Sequence, residues 1–453
     1  MSSNLTLTRA FRLTKGDVVA FVGGGGKTGS MFRLANELAA ASWRVLTTTS
    51  TRIFAAQIKQ SPAHLILEPE KQQVADILPQ LEAALDRHNQ VLLVGPTEVE
   101  TGKAFGVLPD LIDALAATGR FDAILNEADG SRMRPFKAPA SYEPVIPAST
   151  SLVVPVVGLD ILNRPLNDET THRAALVSRL SGTALEAPVT VDTVAAVLAH
   201  PEGGLKNVPP QARVIPLLNK AETPDRLDQA RRIAGHLLAC AQIDSVAIGA
   251  IQAKGAPIAE VWGRSAAVIL AAGGSSRFGS PKQLARWGDR TFIEQAVETA
   301  LASQARPVIV VLGAEMERCR PLLAKYPVQI TPNPNWAEGQ STSMRAGLAA
   351  LPANISSALF LLVDLPALTP ATIDALIERH RRTLAPLAWP EFEGKRGNPV
   401  LFDRRLFADL AQIGGDTGGR PILLAYQDQA ERVAVDNEGI LLDVDRPEDL
   451  SSS

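Results

Sequence analysis

Residues 266–282 read AAVILAAGGSSRFGSPK, and this stretch decides the fold class of the second half of the chain. The apolar run 266–270 predicts a buried strand. The loop that follows it contains three glycines, Gly273, Gly274 and Gly279. Glycine lets backbone N–H groups approach a phosphate chain, because it has no side chain to block them. Arg277 and Lys282 add positive charge suited to a triphosphate. An ordinary strand and turn is the alternative, but the glycines and cations together favour a nucleotide site.

A second apolar run, 358–363, is followed directly by Asp364. An unbroken apolar run is typical of a strand buried on both faces of a parallel sheet. Ligands of open α/β sheets bind at the carboxyl ends of the strands, and a carboxylate there suits Mg²⁺. Asp364 is therefore the candidate catalytic metal ligand, with a helix cap or turn as the alternative. Asp443 and Asp445 follow another short apolar run and are candidates for a second metal contact, although 445–448 is also typical of a helix start.

Small and hydroxylic residues at 339–343 precede a predicted helix. The free N–H groups at a helix N-terminus suit contacts to a nucleotide. The candidate contacts are Gly339, Gln340, Ser341 and Ser343. A plain N-cap explains one of the serines equally well. Two further glycine-rich segments, 394–399 and 414–418, are turns by composition alone.

These segments resemble the MobA/MocA-type nucleotidyltransferases, which belong to the glycosyltransferase-A-like group, and within them the molybdenum cofactor cytidylyltransferases. The supporting stretches follow the family's order: NPNWAEGQSTS (333–343), FLLVDLP (360–366), GKRGNPVLF (394–402), GGDTGGRP (414–421) and LLDVDRPEDL (441–450). The resemblance implies transfer of CMP from CTP to molybdopterin cofactor with Mg²⁺. It implies nucleotide contacts from Leu270, Ala271, Ala272, Gly273, Gly274, Arg277 and Lys282. It implies pterin contacts from Gly397, Asn398, Pro399, Gly415 and Asp416.

The first half of the chain has its own phosphate signal. An apolar run, 17–22, leads into GGGGKTG at 23–29 and then into a pattern with helical apolar spacing. Strand, glycine loop with Lys-Thr and helix form the P-loop arrangement, although Phe21 stands where the full pattern has its first glycine. The shorter form that remains resembles that of Mur-ligase-type ATPases. The candidate nucleotide contacts are Gly23, Gly26, Lys27 and Thr28. The lysine would reach the β- and γ-phosphates and the threonine would hold Mg²⁺, with a chance glycine turn as the alternative.

A further predicted strand in 121–130 ends with Glu127 and Asp129. Glu127 is a candidate metal ligand, and two solvated loop acids are the alternative. Three cations follow, which form either a surface ion-pair patch or an anion site: Arg132, Arg134 and Lys137. The residues NKAE at 219–222 resemble the NKxD guanine-reading motif of GTPases with Glu in place of Asp, and an ordinary turn at a strand end explains them as well.

These N-terminal stretches resemble the YqeC-type family over about residues 10–255. The other supporting stretches are KAPASYEPVIP (137–147), VVGLD (156–160) and THR (171–173). The family is described as an accessory factor of selenium-dependent molybdenum hydroxylases. The resemblance implies ATP or GTP as a ligand of this half and an apo molybdenum hydroxylase as a partner.

Length and composition agree with a two-domain enzyme. A chain of 453 residues is too long for one ordinary domain, and 46% hydrophobic with 21% charged residues is typical of globular proteins. Repeated strand–helix alternation predicts an α/β fold with mostly parallel sheets. We expect a P-loop-like domain at 1–255 and a Rossmann-like nucleotidyltransferase domain at 265–453, with the boundary in 252–265.

Charge, cysteines and hydropathy limit the partners. A net charge of −3 gives no basis for broad nucleic-acid binding. The sequence has no signal-peptide apolar region and no apolar run of membrane-spanning length, so we expect no membrane partner. Two isolated cysteines fit a reducing compartment, which predicts a cytoplasmic location.

Two other classes of function remain open at this point. One keeps the fold but changes the substrates, giving a GTP-dependent guanylyltransferase or a sugar-phosphate nucleotidyltransferase. The other is a carrier or chaperone that delivers cofactor to a molybdenum hydroxylase.

Overall fold

The chain divides into two compact units, Met1–Trp262 and Gly263–Ser453. The structure, a computed structural model, describes residues 5–68, 73–274 and 278–444. The division falls within a single strand, Ile258–Ala271, which the sequence predicted to open only at Ala266. Residues 258–265 mix buried and half-buried positions, whereas 266–271 are all buried. The first part of the strand therefore lacks the unbroken apolar run that marks the second part.

The first unit is built from short strands and seven helices in its described residues. Its strands are β1 (Asp17–Gly23), β2 (Val45–Thr49), β3 (Arg52–Phe54), β4 (His64–Ile66), β5 (Gln90–Val94), β6 (Thr97–Glu98), β7 (Lys103–Phe105), β8 (Ala123–Glu127), β9 (Phe136–Lys137), β10 (Leu152–Gly158), β11 (Thr171–His172), β12 (Arg213–Val214), β13 (Leu217–Asn219) and β14 (Ser245–Gly249). Its helices are α1 (Leu7–Ala10), α2 (Lys27–Ala40), α3 (Val74–His88), α4 (Pro109–Ala117), α5 (Ala174–Ser181), α6 (Val191–Leu198) and α7 (Pro224–Leu237).

The main sheet of this unit is parallel, in the order β4-β5-β2-β8-β1-β10-β13-β14, with β12 also beside β10. Strand β1 lies in the middle, where Phe21 pairs with Glu127 of β8 and Gly23 pairs with Val156 of β10. Parallel strands have their carboxyl ends at one edge of the sheet. The glycine-rich loop after β1, Glu127 of β8 and Asn219 of β13 therefore share that edge.

The helix after the glycine-rich loop, α2, follows the predicted pattern. It begins at Lys27, and of the five apolar positions in the helical pattern Met31, Leu34, Ala35 and Leu38 are buried, while Ala39 is half-buried. Because this face packs inward, the helix holds the first turn, with Lys27 and Thr28, at the sheet edge.

The second unit contains the strand that spans the division and nine further strands in its described residues. The strands are β15 (Ile258–Ala271), β16 (Arg286–Trp287), β17 (Arg290–Thr291), β18 (Val308–Leu312), β19 (Gln329–Pro332), β20 (Ile355–Leu362), β21 (Leu387–Phe392), β22 (Lys395–Arg396), β23 (Val400–Asp403) and β24 (Glu431–Ala434). The helices are α8 (Phe292–Ala302), α9 (Met316–Leu323), α10 (Gln340–Ala349), α11 (Pro370–Thr383), α12 (Phe407–Leu410) and α13 (Arg420–Tyr426).

The sheet of the second unit has the order β19-β18-β15-β20-β23-β21-β24. Its first four strands are parallel, and β23 runs antiparallel to both β20 and β21. Alternate residues of β15 enter two separate cores, with Ile269 in one and Val268 in the other. Both faces of the sheet are therefore covered, which explains the unbroken apolar runs. The predicted α/β fold with mostly parallel sheets is confirmed.

A membrane-spanning helix must be long and apolar enough to cross a bilayer, and this can be judged for the helices of the described residues. None of them combines the length and the apolar content that a membrane crossing requires.

Candidate functional site

A cavity of about 570 Å³ opens in the second unit beyond the carboxyl ends of β15 and β20, and we call it the Asp364 cavity. The sequence-predicted residues that line it are Leu270, Ala272, Gly273, Gly274, Lys282, Gly339, Gln340, Ser343, Asp364 and Asp416. Ala271 and Ser341 do not line it, and Arg277 lies outside the described residues. Segments more than 140 positions apart in the chain thus meet at one site, as expected for strand ends of a parallel sheet.

Asp364 and Lys282 form an ion pair within this cavity. Lys282 Nζ donates to Asp364 Oδ2 at 2.7 Å and lies 3.8 Å from Asp443 Oδ1. The other carboxylate oxygen, Asp364 Oδ1, is buried and has no hydrogen-bond partner among the described residues. An unpaired buried carboxylate oxygen costs free energy, and a bound cation would remove that cost.

The donor set around Asp364 fits Mg²⁺. Within the described ranges no group of three or more His, Cys, Asp or Glu side chains is arranged to hold a metal ion. Mg²⁺ is usually held by one or two carboxylates together with waters and substrate phosphates, so a larger cluster is not required. Asp443 is the second carboxylate near Lys282, while Asp445 lies outside the described residues.

Gln283 and Trp336 line the same cavity, and the sequence reasoning missed both roles. The amide Nε2 of Gln283 donates to Ala271 O at 3.0 Å and to Gly273 O at 2.6 Å, so it fixes the start of the glycine-rich loop. A Cβ at Gly274 would lie 2.9 Å from the Trp336 ring, so a larger residue there would require the ring to shift. Trp336 falls within the quoted stretch 333–343, but its contact with the loop has no local sequence signal.

The helix α10 begins at Gln340, so Ser341 and Ser343 lie in its first turn and not before it as predicted. Ser341 Oγ donates to Gly415 O at 2.5 Å, and the backbone N–H of Gln340 donates to Asp416 Oδ1 at 3.1 Å. These bonds hold the segment 414–418 against the helix start and place Asp416 at the cavity wall.

Gly397, Asn398 and Pro399 do not line the Asp364 cavity. The N–H of Asn398 donates to Ile440 O at 3.2 Å, and Gly397 packs closely against the Ile440 side chain. Their predicted contact with a pterin stays a prediction, as do those of Asp416 and of Gly415, which does not line the cavity.

A second cavity, of about 410 Å³, lies in the first unit, and we call it the glycine-loop cavity. The predicted residues Gly26, Lys27, Thr28 and Glu127 line it, whereas Gly23 does not. Asn219, Lys220 and Glu222 line its wall as well. The loop itself is tightly packed, because a Cβ at Gly25, whose φ is +76°, would lie 2.1 Å from Gly158 N. This position therefore accepts only glycine.

Lys27, Thr28 and two acids form a buried cluster at this cavity. Thr28 Oγ1 donates to Glu127 Oε2 at 2.6 Å, and Lys27 Nζ donates to Gly23 O at 2.6 Å. The same ammonium lies 3.2 Å from Asp129 Oδ1 and 3.7 Å from Glu127 Oε1. Glu127 thus contacts Thr28 directly, and its role as a metal ligand stays a prediction.

Burial and the charges of neighbouring side chains set the pKa values of Lys27 and Glu127. Burial lowers the pKa of Lys27, but Asp129 and Glu127 outweigh burial, so its pKa is raised. Burial raises the pKa of Glu127, and the charge of Lys27 offsets only part of that effect. Lys27 and Glu127 therefore both bind a proton more tightly, Lys27 because two carboxylates favour its charge and Glu127 because burial disfavours its charge.

The three predicted cations Arg132, Arg134 and Lys137 do not act as one patch. Lys137 is buried and donates to Gly130 O and Glu143 Oε2, each at 2.7 Å, and lies 2.9 Å from Asp129 Oδ2. A surface ion pair is therefore the wrong interpretation for Lys137. Arg132 is exposed and lines the glycine-loop cavity.

Comparison with family models gives one match in each unit. The model described as YqeC protein matches residues 19–175, and the model described as MobA-like NTP transferase domain matches residues 267–431. A relative in Escherichia coli (strain K12), the protein YqeC, is 34% identical over 203 residues, which cover 45% of this chain and 75% of that protein. The chain belongs to the YqeC and MobA-like NTP transferase families.

Two relatives match the MobA-like domain over most of their own length. The molybdenum cofactor cytidylyltransferase of Escherichia coli (strain K12) is 30% identical over 189 residues, which cover 40% of this chain and 92% of that protein. The nicotine blue oxidoreductase of Paenarthrobacter nicotinovorans is 31% identical over 190 residues, with 40% and 93% coverage. Family membership therefore supports nucleotidyl transfer without fixing the substrates.

The YqeC region also contains a carboxylate with a strongly lowered pKa. Glu143 Oε2 accepts hydrogen bonds from Arg173 Nη1 at 2.6 Å and from Lys137 Nζ at 2.7 Å. Burial raises the pKa of Glu143, but these two cations outweigh burial and hold the pKa at about 2. Ionised Glu143 therefore stabilises the folded state above the pKa of the unfolded chain, near 4.5, and this stabilisation is lost as the pH falls towards 2.

Between pH 6 and pH 3, we expect the free energy of unfolding of the first unit to fall by about 1–2 kcal/mol more in the wild type than in Glu143→Gln. The amide of glutamine keeps a hydrogen-bond acceptor but does not titrate. Amide hydrogen exchange in β8 and β10 at the two pH values measures the difference. An identical pH dependence in the two proteins would contradict this role for Glu143.

Proposed function

We propose that the MobA-like domain transfers CMP from CTP to the terminal phosphate of molybdopterin cofactor and releases pyrophosphate. The observation that carries this proposal is the buried Oδ1 of Asp364, which has no partner in the described part of the chain, beside the ammonium of Lys282 in the Asp364 cavity. A cation-accepting carboxylate next to a fixed positive charge suits a triphosphate substrate. The choice of substrates is supported by the relative named molybdenum cofactor cytidylyltransferase.

In the proposed reaction, a phosphate oxygen of the cofactor forms a bond to the α-phosphorus of CTP. The bond between that phosphorus and the oxygen that bridges to the β-phosphate breaks, and pyrophosphate leaves with the bonding electron pair. The attacking phosphate is already ionised near neutral pH, so the protein needs no general base. Its residues position the two substrates and neutralise charge.

Asp364 would hold Mg²⁺ through Oδ1, which has no hydrogen-bond partner among the described residues, with Asp443 or Asp445 as the second carboxylate. When bound, Mg²⁺ neutralises phosphate charge and favours an in-line geometry. Lys282, together with Arg277, would stabilise the leaving pyrophosphate. Gln283 acts as a positioning residue, because it fixes the carbonyls at Ala271 and Gly273 and so the direction of the loop N–H groups.

We also propose that the glycine-loop cavity binds a purine nucleoside triphosphate with Mg²⁺. Thr28 Oγ1 and Glu127 Oε2 are 2.6 Å apart, and the two residues would jointly hold the ion. Lys27 would supply positive charge for the phosphates. Nucleotide binding in this unit would serve delivery of the finished cofactor to an apo molybdenum hydroxylase. Loading of such a hydroxylase by the full chain, with and without ATP or GTP, tests that step.

We expect CTP to be preferred over GTP in the transfer reaction by about tenfold or more in kcat/KM, because each mismatched hydrogen bond to the base costs about 1–3 kcal/mol. The preference is inferred from the likeness to the cytidylyltransferases, including the stretch 333–343. Steady-state kinetics with both nucleotides at saturating Mg²⁺ measures it. A kcat/KM for GTP equal to or above that for CTP would show the assignment to be wrong.

The experiment that tests the proposed function combines the full chain with Mg²⁺, CTP or GTP, and molybdopterin cofactor. Mass analysis of the products identifies the dinucleotide and pyrophosphate. The cytosine dinucleotide is the expected product. Stable retention of the cofactor without nucleotide turnover would instead support a carrier function, and a guanine dinucleotide would support the guanylyltransferase alternative.

A further inference from the structure

The side chain of Asn219 connects the glycine loop to a segment that is remote in sequence. Its Nδ2 donates to Gly25 O at 2.8 Å, and its Oδ1 accepts from Ile251 N at 3.0 Å and from Lys220 N at 2.8 Å. Asn219 ends β13, while Ile251 follows β14. One buried amide thus fixes the phosphate end of the glycine-loop cavity relative to the wall formed by 219–222 and 251–252.

Arg33 of α2 fixes the same remote segment from the other side. Its Nη1 donates to Ile251 O at 2.6 Å and to Ala253 O at 2.9 Å, and its Nη2 donates to Gly255 O. The helix that starts at the glycine loop therefore holds the segment 251–255 in place. The glycine loop and the wall formed by 219–222 and 251–252 are therefore held at a fixed separation before a ligand binds between them.

Glu222 is a carboxylate on the wall formed by 219–222. Its side chain is 48% exposed and lines the cavity, and Arg226, one helical turn later, donates to its Oε2 at 3.2 Å. The neighbouring Lys220 is held by Asp160 at 2.7 Å. The carboxylate of Glu222 is thus accessible from the cavity, and its ion pair is with Arg226 and not with Lys220.

The chemistry of a carboxylate selects between the purine bases. An ionised carboxylate only accepts hydrogen bonds, and it pairs best with two adjacent N–H donors. Guanine offers such a pair, N1–H and the N2 amino group. Adenine instead presents an acceptor, N1, beside its amino group, so that the carboxylate would face a lone pair.

We propose that Glu222 reads the guanine base of a nucleotide whose phosphates lie at the glycine loop, so that the first unit binds GTP in preference to ATP. This inference rests on the proposed binding of a purine nucleoside triphosphate in the glycine-loop cavity. Asn219 and Arg33 are positioning residues in it, because they hold the base end and the phosphate end at a fixed separation.

The test measures binding of non-hydrolysable GTP, ATP and XTP analogues to the full chain by calorimetry with Mg²⁺. We expect GTP to bind about tenfold or more tightly than ATP. In Glu222→Gln we expect GTP to bind about tenfold or more weakly and XTP to bind about tenfold or more tightly than in the wild type. Glutamine offers one acceptor and one donor, which match N1–H and the C2 carbonyl of xanthine.

Two further variants separate the possible outcomes. Asp225→Asn removes the same charge from an exposed position that does not line the cavity and is expected to leave the base preference unchanged. Thr28→Val identifies binding at the glycine loop, since binding that persists in this variant belongs elsewhere. Equal, Thr28-dependent affinities for GTP and ATP would overturn the role of Glu222 while nucleotide binding stands. No Thr28-dependent binding of any purine triphosphate would overturn both.

Discussion

Asp364→Asn is expected to lower kcat for nucleotidyl transfer by about 10²–10³-fold, because it removes the charge that would hold Mg²⁺ at the α-phosphate. The variant tests the Asp364 cavity with little structural change. Asparagine has nearly the same shape as aspartate and still offers an oxygen to the ammonium of Lys282, which lies 2.7 Å from Asp364 Oδ2 in the wild type. The loss should therefore appear in turnover and not in folding.

Single-turnover kinetics at saturating Mg²⁺ and CTP measures the effect, and hydrogen exchange of β20 and β15 checks the fold. Asp428→Asn is the matched control, since Asp428 is exposed in the same unit and does not line the cavity. Near-normal turnover of a folded Asp364→Asn protein would rule out this carboxylate as the metal ligand.

Lys27→Met is expected to weaken nucleotide binding in the first unit by about 100-fold and to lower its free energy of unfolding by about 3 kcal/mol at pH 8. The methionine fills a similar volume but leaves Glu127 buried without a cation. Burial already raises the pKa of Glu127, and loss of Lys27 raises it further. The folded state then favours the protonated acid, so the destabilisation should shrink as the pH falls from 8 to 5.

Calorimetry and hydrogen exchange of β8 at the two pH values measure binding and stability. Lys15→Met is the control, because Lys15 is exposed and its ion pair with Asp122 at 3.2 Å lies on the surface. Transfer of CMP by the second unit should be unchanged in Lys27→Met, since that unit has its own glycine-rich loop. A parallel loss of transfer would show that the two units are coupled, and a pH-independent destabilisation would contradict the role of Glu127.

The local sequence predicted the buried strands well, because their burial on both faces is visible in their apolar composition. The runs 17–22, 266–270 and 358–363 are almost entirely apolar because both faces of each strand are almost entirely buried, so composition alone identifies them. The residues after these runs, such as Asp364 and Thr28, were then placed at the strand ends by the general geometry of parallel sheets.

The features that local sequence did not predict depend on contacts between distant segments. In the sequence, Gln283 and Asn219 carry no local signal of a contact with a glycine-rich loop. In the fold, their side-chain amides donate hydrogen bonds to the carbonyls of Gly273 and Gly25, respectively. Lys137 looked like a surface cation because its partner acids, Asp129 and Glu143, are brought together only by the fold. No pattern in the neighbouring residues contains this information.

The alternation of β15 between two cores sets a rule for how this region can change during evolution. Ile269 packs on one face and Val268 on the other, and both faces are aliphatic. Exchange of one aliphatic residue for another is therefore readily accommodated. Insertion or deletion of a single residue is not, because it would turn every following side chain to the opposite face and shift Gly273 and Gly274 by about 3.3 Å. Relatives with the same activity are therefore expected to differ in the identity of the aliphatic residues of this strand but not in its length.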